Sequence, residues 1–170
     1  MDIFTSSISG LSFFPLTMLS ILINDAFFFT LLMLCAFLLV HSRINDRRRL
    51  LFSIFVVLLS TFAAISAKEA AKEPRVCLLF ASKIPCPQDF ALPSTHAAAS
   101  FALALSLLGT SLFFPALFFA LVVSFSRIYI GVHSIGDVSG GLAIALIAYY
   151  SALVLWHAFS IKKPENTVAL

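Results

Sequence analysis

Leu92–Ser100 reads LPSTHAAAS and Phe125–Asp137 reads FSRIYIGVHSIGD; each sets a histidine beside phosphate-compatible groups at the edge of an apolar run. Pro93-Ser94-Thr95-His96 reads as a helix start, a serine beside backbone donors followed by an alanine-rich segment. A helix N-terminus presents free N–H groups at the positive end of its dipole, which makes it an anion site. His133 and Asp137 are four residues apart, so on a helix they share a face and the carboxylate can orient the imidazole. Arg127 lies six residues before His133, which no single helical face accommodates. The chain is therefore expected to break near Gly131 and fold the two together.

Around these stretches the chain is overwhelmingly apolar: 61% hydrophobic, 11% charged, mean hydropathy +1.04 over 170 residues. A soluble domain of this size does not need so much apolar surface, so residues 1–170 read as one integral membrane domain. The net charge of +3 is small and no basic stretch is interleaved with aromatics, which argues against a nucleic-acid partner. The N-terminus lacks the charged start and small-residue cleavage site of a signal peptide, and the whole chain is read as mature protein.

The expected fold is an all-α, polytopic membrane bundle of five spans: Ala26–His41, Leu50–Ala67, Ser94–Gly109, Phe113–Ile130 and Gly136–Phe159. Pro115 falls near the start of the fourth, where a helix tolerates it. Ile3–Ile23 is interrupted by Gly10 and Pro15 and ends at Asn24-Asp25, so it is either an interfacial helix or a sixth span. The arginines of Ser42–Arg49 place that loop in the cytoplasm by the positive-inside rule. Alternation then puts Lys68–Leu92 and Arg127–Asp137 outside, and Lys162-Lys163 inside with the arginines. His41 and His157 read as interfacial anchors, and Lys72 as a solvated residue balanced, like Lys68, by Glu69 and Glu73. The alanines after His96, with Gly136, Gly140 and Gly141, suit close helix packing beside the motifs. An outer compartment permits a disulfide, but spacing alone does not join Cys77 to Cys86.

Lys68 and Arg75, Pro93-Ser94-Thr95-His96, and Ser126-Arg127 with His133 and Asp137 occur in that order. In this the chain resembles the type 2 phosphatidic acid phosphatase superfamily of membrane lipid phosphatases, which includes phosphatases of undecaprenyl diphosphate, phosphatidylglycerophosphate and lipid A. Its signatures run Lys…Arg-Pro, Pro-Ser-Gly-His and Ser-Arg…His…Asp. Here the proline precedes Arg75 as Pro74, and Thr95 stands in the glycine position. The resemblance implies His133 as nucleophile, Asp137 as the group that holds its tautomer, and His96 as general acid then base. It implies Lys68, Arg75 and Arg127 as the phosphate clamp, completed by Ser94 and the Thr95 backbone. No metal or other cofactor is expected, since the cations carry the charge and no Asp/Glu cluster offers a magnesium site.

The expected activity is metal-independent hydrolysis of a lipid-linked phosphate at the outer face of a cell membrane, through a phosphohistidine. An isoprenyl diphosphate is the first substrate guess, resting on small size and analogy. A phosphotransferase using the same phosphohistidine, and a non-enzymatic lipid-phosphate binder or transporter, are the rival readings. Nothing in the sequence specifies an oligomeric state.

Overall fold

The computed structural model describes residues 3–79 and 82–161, where all regular structure is helical. The helices are α1 (Ile3–Gly10), α2 (Phe14–Asn24), α3 (Ala26–Ile44), α4 (Arg47–Ala71), α5 (Thr95–Ser106), α6 (Phe113–Tyr129) and α7 (Ile135–Ile161). Lys162 and Lys163 lie outside the described residues. Charged residues at the loop edges act as caps. The Asp25 carboxylate accepts from Phe27 N and Phe28 N at the start of α3, and Asp46 accepts from Arg48 N at the start of α4. Asn45 and Lys72 end α3 and α4 in the left-handed conformation, each with φ 49°.

Helices α3, α4 and α7 are long and apolar enough to cross a membrane. Phe27, Phe62, Phe114, Phe118 and Val154 expose 69–74% of their surface, an outward apolar belt suited to lipid rather than water. The expected five spans do not all have the length. α6 has 17 residues and α5 only 12, so α5 rises roughly 18 Å against the ~30 Å of a hydrocarbon core. α5 can be short because it is wrapped by α4, α6 and α7, with residues from Ala97 to Ala104 buried. Its C-terminal carbonyls are met inside the protein: Arg49 Nη1 donates to Ser106 O at 3.3 Å and to Leu108 O at 3.1 Å. Those two carbonyls are thus satisfied by the protein itself.

The N-terminal segment departs from the single helix expected. It breaks at Leu11–Phe13 into α1 and α2, bent by 111°. Pro15 sits in the first turn of α2, where its missing N–H costs nothing. The break is held on α6: Tyr129 Oη accepts from Phe13 N at 2.9 Å and lies 2.9 Å from Thr17 Oγ1.

α5 and α7 meet at small residues. A Cβ on Gly141 would lie 2.7 Å from Ser94 O, 3.0 Å from Ala97 Cβ and 3.1 Å from Ala98 N. The approach is mostly to backbone, so Gly141→Ala must push the Ser94 turn away from α7. The expected loss is about 1–3 kcal/mol of stability, read as a lowered unfolding midpoint in detergent. Gly10→Ala, which meets nothing within 4 Å, is the control. Equal midpoints for the two variants would show that α5 and α7 separate freely.

Candidate active site

α4 ends at Lys72, and the chain folds back so that Ala91 N donates to Glu73 O at 2.8 Å. The returning loop carries a disulfide between Cys77 and Cys86. Lys83 pins it to α1 and α6, donating to Ser9 O at 2.5 Å and Tyr129 O at 2.6 Å. This fixed loop presents Arg75 beside Lys68 on the last turn of α4. Pro74 and Arg75 stand in the order opposite to the usual signature, yet the guanidinium reaches the site fully engaged. Its Nη1 donates to Val132 O at 3.2 Å and lies 3.1 Å from His133 Nε2. Glu69, Lys72 and Glu73 are exposed, and among the described residues none of them is in an ion pair.

Asp89 was not anticipated. One carboxylate oxygen accepts from Lys68 Nζ at 2.6 Å and the other from Arg75 Nη2 at 2.7 Å, while its carbonyl accepts from Arg75 Nε at 3.0 Å. Burial alone would raise its pKa, but the Lys68 hydrogen bond and the Arg75 charge override this and pull it down to about 2. Asp89 is thus held toward the ionised form and bridges Lys68 and Arg75. It is the sole acidic residue between Pro74 and Pro93, a signal that the arginine and lysine ahead of it could have drawn out.

α6 ends where expected: Gly131 takes φ 80°, and Val132 N and His133 N both donate to Arg127 O at 3.3 Å. The turn brings Arg127 back over His133. The two catalytic candidates do not share a helical face, however, because α7 begins only at Ile135. Their pairing comes from the helix start itself. Asp137 N donates to Ser134 Oγ at 3.1 Å, and Ser134 N donates to Asp137 Oδ2 at 2.7 Å, a reciprocal cap. The same Oδ2 lies 3.3 Å from His133 Nδ1. Nδ1 facing a carboxylate carries the proton, which leaves the lone pair on Nε2. Burial holds the His133 pKa below its ordinary value against the pull of Asp137, and Arg127 and Arg75 add to the lowering. The ring is neutral at pH 7.

Ser94 precedes α5 and is locked to α7 by its N–H, which donates to Asp137 O at 3.0 Å. Among the described residues its buried hydroxyl has no hydrogen-bond partner, and neither has His96 Nε2 nor Arg127 Nε. The His96 ring packs against Phe29 with centroids 4.3 Å apart. The first N–H groups of α5 have no intrahelical acceptors. Arg127 Nη1 donates to Asn24 Oδ1 at the end of α2, a second residue that sequence reasoning missed.

Lys68, Arg75, Thr95, His96, Arg127 and His133, with Asn24, Pro87 and Asp89, line one cavity of about 220 Å³. Ser94 and Asp137 support it from behind. Six of the eight residues singled out from sequence thus line one cavity, and the other two adjoin them. Among the described residues no three His, Cys, Asp or Glu side chains gather as metal ligands. A larger apolar groove of about 360 Å³, lined by Phe29, Met33, Val57 and Ile65, shares the lining residues Thr95 and His96 with this cavity.

Residues 48–163 match the PAP2 superfamily. The chain belongs to that superfamily. It is an integral membrane phosphatase of the PAP2 type. The fold is similar to the crystal structure of LpxE from Aquifex aeolicus, with a TM-score of 0.72 and 21% identity over 89% of this chain and 93% of that one. It is also similar to a transmembrane PAP2 type phosphatidylglycerolphosphate phosphatase from Bacillus subtilis, with a TM-score of 0.61 and 18% identity over 98% of this chain and 81% of that one. No curated protein sequence matches. At these identities the neighbours speak for the PAP2 fold, while α1, α2 and α3 lie ahead of the matched residues.

Proposed function

We propose that this PAP2 protein hydrolyses a phosphate or diphosphate group from a lipid at the outer membrane–water interface, through a phosphohistidine on His133. The observation that carries this is that Thr95 and His96 line both the cation-rich cavity and the apolar groove, which puts the two side by side. An amphiphile fits such a pair, headgroup in the clamp and chain in the groove.

In the first step His133 Nε2 attacks phosphorus and the bond from phosphorus to the lipid oxygen breaks. His96 gives that oxygen its proton. Asp137 holds the Nδ1 proton and stabilises the positive ring that forms. Arg75 must turn from Nε2 to a phosphoryl oxygen, joining Lys68 and Arg127 where charge develops. The Ser94 hydroxyl and the α5 N–H groups receive another oxygen. In the second step water attacks phosphorus, His96 takes its proton, and the phosphorus–nitrogen bond breaks to free phosphate.

The extracytoplasmic position rests on the arginines. Arg49 and Lys68 stand at opposite ends of α4, roughly 28 Å apart, so the positive-inside rule that places Arg43 and Arg47–Arg49 in the cytoplasm places the site outside. Among lipid phosphates an isoprenyl diphosphate is the first candidate, supported by the small size of the chain. The test is phosphate release by purified protein from isoprenyl diphosphate, phosphatidyl phosphate and lipid A phosphate in micelles. Release should persist in excess chelator and be inhibited by vanadate, which imitates five-coordinate phosphorus. Activity lost to chelator and restored by magnesium would overturn the mechanism, and a phosphorylated acceptor lipid in place of free phosphate would make it a transferase.

A further inference from the structure

We infer that Asn24 is a positioning residue of the phosphate clamp, holding Arg127 in place while leaving its charge uncompensated. The inference rests on reading the cavity as a phosphate site. Asn24 lies ahead of the family-matched residues, so the N-terminal helix pair supplies part of the site.

The backbone on either side of Asn24 is fixed. Asp25 N donates to Ile21 O at 3.1 Å and to Leu22 O at 3.2 Å, closing α2, while the Asp25 carboxylate caps α3. Between these two anchors the Asn24 side chain lines the cavity, and its Oδ1 accepts from Arg127 Nη1. Arg127 is only 3% exposed, and among the described residues its Nε has no partner. A buried guanidinium needs hydrogen-bond acceptors, and a lone carboxylate would supply one at the cost of cancelling its charge. The neighbouring cations show the contrast: Lys68 and Arg75 share the carboxylate of Asp89, whereas Arg127 is met by a neutral amide. Among the described residues no carboxylate is paired with Arg127, so its positive charge stays available to an incoming oxyanion. The amide oxygen fixes the angle of the guanidinium, and the amide's neutrality fixes its strength.

The two properties separate on substitution. Asn24→Ala removes the acceptor and frees the guanidinium. Asn24→Asp keeps the shape and the acceptor but pairs the charge, so the chain should be at least as heat-stable while binding anions more weakly. The experiment uses the full chain in detergent and measures vanadate inhibition, KM, kcat and the unfolding midpoint. Asn24→Ala should weaken vanadate inhibition about tenfold, the scale of one hydrogen bond to a charged group. Asn24→Asp should weaken it more than Asn24→Ala, with an unfolding midpoint no lower than that of the native chain. In an Arg127→Ala background, Asn24→Ala should have no further effect on vanadate, because the acceptor then has nothing to hold. Asn24→Asp inhibited within twofold of the native chain would overturn the inference. So would additive losses in the double variant, which does not depend on how well Asn24→Asp folds. Native protein insensitive to vanadate would sink the phosphate-site reading and this inference with it, whereas native sensitivity with unaffected variants would sink this inference alone.

Discussion

His133→Ala is expected to lower turnover by at least about 10⁴-fold on every substrate while the protein still binds its phosphate lipid. The two outcomes separate because they rest on different groups. On the proposed mechanism binding depends on Lys68, Arg75 and Arg127, all of which remain, and chemistry depends on the His133 Nε2 lone pair, with Asp137 3.3 Å from Nδ1 to hold the proton there. Burial, with Arg127 and Arg75, keeps the folded-state pKa of this ring below its ordinary value. The neutral nucleophile is thus the dominant form at pH 7, and its share falls only as the pH drops through that lowered pKa. The measurements are equilibrium binding of labelled lipid phosphate and an alkaline quench of the reacting enzyme, which preserves the acid-labile bond of a phosphohistidine. Native protein should yield labelled phosphoenzyme and His133→Ala none. Labelled His133→Ala would place the nucleophile elsewhere.

His96→Ala should instead show a penalty that depends on the substrate. A general acid contributes about 10²–10⁴-fold, and its contribution shrinks as the leaving oxygen becomes less basic. A lipid monophosphate leaves as an alkoxide, a diphosphate as a far less basic phosphate. The loss should approach the upper end of that range on the monophosphate and be much smaller on the diphosphate. His96 lines both the cavity and the apolar groove, a position within reach of the leaving oxygen of a lipid monophosphate. Its ring also rests on Phe29 of α3, so Phe29 sets its orientation. The check is kcat for both substrates with native and variant enzyme. Equal penalties would mean that His96 does not protonate the leaving group.

Much of this was legible in the sequence because it is local. The apolar runs separated by charged caps announce membrane helices, and the α5 start follows from Pro93-Ser94-Thr95-His96 alone. The break at Gly131 follows from the spacing of Arg127 and His133, which only a left-handed residue after a helix can reconcile. What the sequence could not determine is what long-range packing decides. Asp89 sits in a loop and carries no spacing signature; it becomes part of the clamp because the chain reverses after Lys72 and Ala91 pairs with Glu73. Asn24 read as a helix terminator and no more, since its partner Arg127 lies 103 residues further on. The pairing of His133 with Asp137 was expected from helical spacing, but it arises from a reciprocal cap in which Ser134 takes part. The 12-residue α5 likewise follows from its neighbours: wrapped on all sides, it has no need of the length that lipid imposes on an exposed span. Sequence fixes which residues can start, stop or line a helix; which of them meet is settled by how the helices close around α5.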